Sequence, residues 1–176
     1  MKRTLGHLAL VAAAVLVPGI AGAQHAYVGV KACGMCHKSE AKGQQLAIWE
    51  KSKHAGAFTT LTTDKANEIA KSKGITKPAA EAPECLACHA IKGGPDAADP
   101  KQGVQCESCH GAGADYKAMG VMKVKDNAVK AGLTAFADNA AIEAMCKTCH
   151  NAKSPTAKPF NFEERWKVIA HKKPAA

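Results

Sequence analysis

The stretch Gly103-Val104-Gln105-Cys106-Glu107-Ser108-Cys109-His110-Gly111 holds two cysteines three positions apart, with a histidine directly after the second. The pattern recurs at Cys33-Gly34-Met35-Cys36-His37, Cys85-Leu86-Ala87-Cys88-His89 and Cys146-Lys147-Thr148-Cys149-His150. These copies use all eight cysteines of the chain. Three chemistries favour cysteines at this spacing: a redox disulfide, half of a zinc site, and covalent attachment of a c-type haem. The histidine separates them. With 8 His in 176 residues, a His follows any one pair by chance about 5% of the time. Four of four is then on the order of one in a hundred thousand or less, and the haem signature is the one that requires it.

The spacing has a chemical reason. Two thiols add to the two vinyl groups on one porphyrin edge. Cys33 and His37 stand at i and i+4, so on a helical turn they share a face and the imidazole reaches the iron. The expectation is four covalently attached haem c groups. Their thioethers come from Cys33, Cys36, Cys85, Cys88, Cys106, Cys109, Cys146 and Cys149, and their first axial ligands are His37, His89, His110 and His150.

The composition agrees. The chain has 47% hydrophobic residues but only 2 Trp, 2 Tyr and 4 Phe, and about a fifth of it is Ala. Small side chains bury little area at roughly 25 cal/mol per Å², too little for an ordinary close-packed enzyme core. Haems would supply the missing interior. The fold expected is mostly α, with long irregular segments wrapping a haem core.

Lys2 and Arg3 precede an apolar run from Leu8 to Val17, followed by Pro18-Gly19 and Ala21-Gly22-Ala23. That is the anatomy of a secretory signal peptide spanning 1–23. The run is about 10 residues, half of the roughly 20 needed to span a bilayer, so no integral membrane protein is expected. Residues 24–176 then form a single exported domain, periplasmic or extracellular. Loss of Lys2 and Arg3 takes the formal charge from +9 to +7. Four haems with ionised propionates bring it to roughly +3 when oxidised and about −1 when reduced, which removes the case for a strongly acidic partner. Nucleic-acid binding is not expected either, because the lysines are scattered and no stacking platform accompanies them.

Between the motifs, the residues from Ser39 to about Thr60 read as one helix with Leu46, Ile48 and Trp49 as its apolar positions. Thr63 can cap a helix ending at Gly74, and Asp138 can cap the helix of the fourth motif. A short helix is expected within Ala114–Met122 and another from Asp126 to Ala131, stopped by Gly132. Asn161, with Glu164 three positions on, starts a last helix toward His171. Gly93-Gly94-Pro95 and Asp99-Pro100 read as turns.

The second axial position sets potential and reactivity. The mature chain has three spare histidines, His25, His54 and His171, for four irons. Met119 and Met122, at i and i+3, are the next candidates. His54 stands about 25 Å from His37 if the segment between them is helical, so it is expected to serve another motif's iron. His25 lies two residues into the mature chain, where termini are usually loose, and could ligate within the molecule or in a neighbour.

The chain resembles the tetrahaem cytochrome c-554 family. The likeness rests on Tyr27-Val28-Gly29, Trp49-Glu50-Lys51-Ser52-Lys53-His54-Ala55, Gly103 to Gly111, and Phe160-Asn161-Phe162-Glu163-Glu164 leading to His171. Members of that family include the electron acceptor of hydroxylamine oxidoreductase in ammonia oxidisers. The resemblance implies a mostly helical fold with haems in close pairs, electron transfer as the activity, and His54 and His171 as distal ligands. It also implies that the haem of the second motif, here that of His89, has no distal ligand. The family's distal histidine shortly after the third motif has no counterpart here, where Met119 and Met122 stand.

The function expected is therefore an electron carrier between redox partner proteins, and not an enzyme. Two rivals are a haem enzyme acting on small nitrogen species at an open iron, and a subunit of a homo-oligomeric haem filament. No dedicated acid–base group accompanies the motifs: Glu107, Asp115 and Asp126 read as solvated carboxylates.

Overall fold

The computed structural model describes residues 25–91 and 99–171. The signal-peptide reading of 1–23 and the turn at Gly93-Gly94-Pro95 lie outside them. Among the described residues the regular structure is helical, with no strand. The α-helices are α1 (Val30–His37), α2 (Gln45–Glu50), α3 (Asp64–Ser72), α4 (Pro83–His89), α5 (Cys106–His110), α6 (Met119–Met122), α7 (Lys125–Lys130), α8 (Asn139–Lys147) and α9 (Phe162–Ile169). None of the described helices is long and apolar enough to cross a membrane.

The caps explain where several helices begin. The Ala66 amide donates to Thr63 Oγ1 at 3.2 Å, opening α3. Asp138 Oδ1 accepts from the Ala141 amide at 2.8 Å, opening α8. Asn161 Oδ1 accepts from Glu164 at 3.2 Å, opening α9. Each cap satisfies an amide that the first helical turn leaves unpaired. Pro83 starts α4, where its missing N–H costs nothing.

The single helix expected from Ser39 to about Thr60 does not form. The backbone turns left-handed at Gly43 (φ 95°) and again at Gln44 (φ 52°), which ends one short turn before α2 begins. After Glu50 the chain runs through further turns to a 3-10 turn at Thr59–Thr62. The 25 Å separation of His37 and His54 rested on that helix and falls with it. The helix within 114–122 is also shorter than expected, since α6 holds only its last turn.

Conventional packing is concentrated in one place. Leu61, Ala70 and Ala79 are buried together, with Ala66, Ile75, Ala80, Cys85 and Leu86 against them. This small core fastens α3 to α4 and so to the second motif. Elsewhere the buried apolar residues among those described are few: Val30, Ala82, Ala90, Ile91, Tyr116 and Ala128. Specific polar contacts hold the motif helices instead.

The most constrained of these is where Gly103-Val104 meets His54–Ala57. The Val104 amide donates to His54 O at 2.9 Å, and Trp49 Nε1 donates to Val104 O at 2.7 Å. Gly103 has φ +74°, and a Cβ there would stand 2.4 Å from His54 O and 2.8 Å from Ala55 O. Only glycine lets the two backbones approach this closely. The contact fixes His54 against the entry to the third motif.

Candidate metal centre

Three of the motifs are helical throughout, in α1, α4 and α5. The fourth begins at the end of α8 and keeps helical pairing, with the His150 amide donating to Cys146 O at 2.9 Å. Each histidine therefore projects from the same side as the first cysteine of its motif, as the attachment chemistry requires. Cys33, Cys36, Cys85, Cys106, Cys109, Cys146 and Cys149 are thiols with no disulfide.

The motif helices stand in a definite spatial order. α1 packs against α5, which sets Cys33 beside Cys106. That contact, with burial, holds Cys33 in its protonated form. Cys109 is pushed up to about 11 by burial and by the neighbouring Cys146 and Cys149, joining α5 to the end of α8. Cys149 Sγ lies 4.0 Å from Ala87 O, joining the fourth motif to α4. The order in space is first, third, fourth, second.

Two histidines that sequence marked as spare face motif histidines. His54 lies with its ring centre 6.0 Å from that of His150, at an interplanar angle of 51°. His171 lies 6.0 Å from His110, at 61°. A metal–nitrogen bond of roughly 2.0 Å, with about 1.1 Å from ring nitrogen to ring centre, would place the centres of two imidazoles flanking one iron about 6.2 Å apart. Both pairs match that spacing, so the residues fit a haem iron held between two imidazoles. Burial, then the facing ring, lowers the pKa of His54. Burial chiefly lowers that of His110 too, with His171 and His37 adding to the effect. A histidine kept neutral retains the lone pair a metal needs.

Hydrogen bonds select the coordinating nitrogen. His110 Nδ1 lies 3.1 Å from Thr134 O, His171 Nδ1 3.0 Å from Ile169 O, and His89 Nδ1 2.9 Å from Ala57 O. A carbonyl oxygen can only accept, so each Nδ1 carries the proton and each Nε2 keeps its lone pair. Thr60 Oγ1 lies a further 3.1 Å from His89 Nδ1. Phe160 stacks on His150 with ring centres 4.9 Å apart, fixing that imidazole's plane. Burial, followed by Arg165 on α9, lowers the His150 pKa. One C-terminal segment thus serves two motifs, through His171 and through Phe160 and Arg165.

The other candidates are placed as follows. Met119 is 64% exposed on α6, and Met122 is half-buried on the same helix. His25 does not sit on a loose end: its Nδ1 donates to Asp115, and the amide of Ala114 donates to Ala26 O at 3.1 Å.

The reading of Glu107 as a solvated carboxylate is corrected. It is 2% exposed. Its oxygens accept from the amides of Val28 at 3.0 and 3.2 Å, Gly29 at 2.8 Å and Gly113 at 2.6 Å. A residue inside the third motif therefore staples the segment before the first motif to the loop after the third. The only sequence signal was the pair of glycines, Gly29 and Gly113, able to approach a carboxylate closely. Asp115 is likewise paired, with His25.

Comparison with known proteins follows this geometry. Residues 32–111 match the family model described as cytochrome c554 and c-prime. The chain is 35% identical over 101 residues to a cytochrome c-554 of Nitrosomonas europaea (strain ATCC 19718 / CIP 103999 / KCTC 2705 / NBRC 14298), a match covering 52% of this chain and 40% of the relative. The chain thus spans about two fifths of the length of that curated relative. No solved structure matches. The family match holds the first three motifs and His54, while the fourth motif and His171 lie beyond it. Each facing pair, His54 with His150 and His110 with His171, joins a ring inside the matched segment to one outside it. Over residues 32–111, the chain is similar to the cytochrome c554 and c-prime family.

Proposed function

We propose that the chain is an exported tetrahaem c-type cytochrome that carries electrons between a donor and an acceptor protein. In this reading residues 1–23 are removed as a signal peptide, and 24–176 form one domain in the periplasm or outside the cell. The observation that carries it is the pairing of His54 with His150 and of His110 with His171, each at 6.0 Å, in a chain with four attachment motifs. Haem c supplies the one-electron iron couple, and its potential follows ligand identity, burial and hydrogen bonding.

The residues of the chain do the rest. Thr134 O, Ile169 O and Ala57 O hold Nδ1 of His110, His171 and His89, so that Nε2 presents its lone pair. This fixed orientation means that little has to move when an electron arrives or leaves. The adjacency of α1 to α5, α5 to the end of α8, and the fourth motif to α4 supports electron passage from motif to motif. His89 sits at one end of that order, and in the family pattern its iron is the open one.

EPR of the oxidised protein combined with a redox titration tests the reading. It predicts low-spin signals from at least two bis-histidine haems and reversible uptake of four electrons. Entirely high-spin haem, or rapid turnover of hydroxylamine or nitrite without a protein partner, would overturn it in favour of an enzyme.

A further inference from the structure

The hydroxyl of Thr60, in the 3-10 turn at Thr59–Thr62, closes a triangle with His89 and Ala57. His89 Nδ1 lies 2.9 Å from Ala57 O. Thr60 Oγ1 donates to the same oxygen at 2.7 Å. Thr60 Oγ1 and His89 Nδ1 are 3.1 Å apart. The carbonyl oxygen only accepts, and its two lone pairs accommodate both donors. With its proton committed to Ala57 O, the hydroxyl can meet His89 only as an acceptor. The Nδ1 proton is then shared between two oxygens, one from backbone and one from a side chain.

Neighbouring hydroxyls show what an ordinary threonine does in this turn. Thr62 Oγ1 donates to Thr59 O, and Thr63 Oγ1 to Thr60 O, each at 2.9 Å and three residues back. Among the described residues neither of these hydroxyls meets an imidazole. The position of Thr60 against His89 is also firmly held. Leu61, the next residue, is buried with Ala70 and Ala79, and Cys85 and Leu86 of α4 pack against that group. The Leu61 amide donates to Phe58 O at 2.9 Å, and the Ala57 amide to His54 O at 3.2 Å. The turn that carries the hydroxyl and the helix that carries His89 therefore share one small core.

We infer that Thr60 is a positioning residue for the haem of the second motif: its hydroxyl, with the Ala57 carbonyl, holds His89 Nδ1 and lowers that haem's potential. The inference rests on the carrier reading above. A hydrogen-bond acceptor at Nδ1 raises the basicity of the imidazole, and a more basic ligand favours ferric over ferrous iron. Removing the hydroxyl takes one of the two acceptors away. The carbonyl gains little in exchange, since it already has a lone pair for each donor. The potential should therefore rise.

The test uses the full-length holoprotein and the variants Thr60→Val, Thr60→Ser and Thr62→Val, examined by redox titration and EPR. Thr60→Val keeps the shape, removes the hydroxyl and leaves no room for a water in its place. It should raise one midpoint potential and leave the other three unchanged, along with the low-spin signals of the His54–His150 and His110–His171 haems. Thr60→Ser should restore the wild-type potential. Thr62→Val deletes an equivalent backbone contact without touching His89, and should move no potential. If Thr60→Val does not mature, Thr60→Ala makes the same cut, and a smaller rise is expected because water can enter. Unchanged potentials in the Thr60 variants would overturn the inference. So would an equal shift in Thr62→Val, which would reduce Thr60 to a staple of its own turn. In both results four electrons are still taken up and the carrier reading survives; a wild type that takes up no electrons reversibly would sink both.

Discussion

Replacing Glu107 should be among the most damaging single changes outside the cysteines and histidines. The carboxylate is 2% exposed and serves three amides. Two of them, Gly29 and Gly113, donate in buried surroundings and Val28 in a half-buried one. Each buried amide stripped of its acceptor costs about 1–3 kcal/mol. Glu107→Ala should therefore cost about 3–5 kcal/mol, allowing for some entry of water. Glu107→Gln keeps one oxygen but turns an NH2 toward at least one of the amides, and should cost about 2 kcal/mol. Against a typical stability of roughly 5–15 kcal/mol either loss is easily measured. The assay is guanidinium unfolding of the holoprotein, followed by far-UV circular dichroism and by the haem absorption band. Removing a buried negative charge beside the first and third motifs should also raise at least one haem potential. If both variants unfold within about 0.5 kcal/mol of wild type, the Glu107 staple does not hold the first motif to the third, and the reasoning fails.

Other changes test other joints. Gly103→Ala places a methyl 2.4 Å from His54 O at a φ of +74°, and should lower stability by about 2 kcal/mol or more and broaden the low-spin EPR signal of the His54-ligated haem. Trp49→Phe deletes the 2.7 Å bond to Val104 O and should cost about 1–2 kcal/mol in the same unfolding assay. His171→Ala should leave haem attachment intact but turn one low-spin haem high-spin and make it bind carbon monoxide, seen as a shift of the reduced haem band. Asn161→Ala removes the cap of α9 and should cost about 1 kcal/mol, with fraying of the segment that delivers His171 visible in hydrogen exchange.

The sequence carried the motifs, the helical class and the caps at Thr63, Asp138 and Asn161, because these depend on local chemistry. It also marked His54 and His171 as candidate ligands, first as spare histidines and then through the resemblance. It did not say which motif each serves, because that pairing is set by how distant helices meet. His54 reaches His150 only because Gly103-Val104 and Trp49 pin its backbone, a contact between residues about 50 positions apart in sequence. The long helix from Ser39 failed at Gly43-Gln44, where two left-handed residues override the apolar spacing of Leu46, Ile48 and Trp49. Glu107 was misread because a carboxylate between two haem-attaching cysteines looks like surface until its three amide donors, two of them glycines, are brought to it. The anchoring of His25 was not legible for the same reason: its partner, Asp115, is 90 residues away.

The central claim is that all four motifs carry haem on one exported chain, including the fourth, which lies beyond the family match. Intact mass spectrometry of the purified protein measures this directly. The account predicts a chain beginning at Gln24 and heavier by four haems, with no free thiol. A mass carrying three haems or fewer, or a chain that retains residues 1–23, would contradict it.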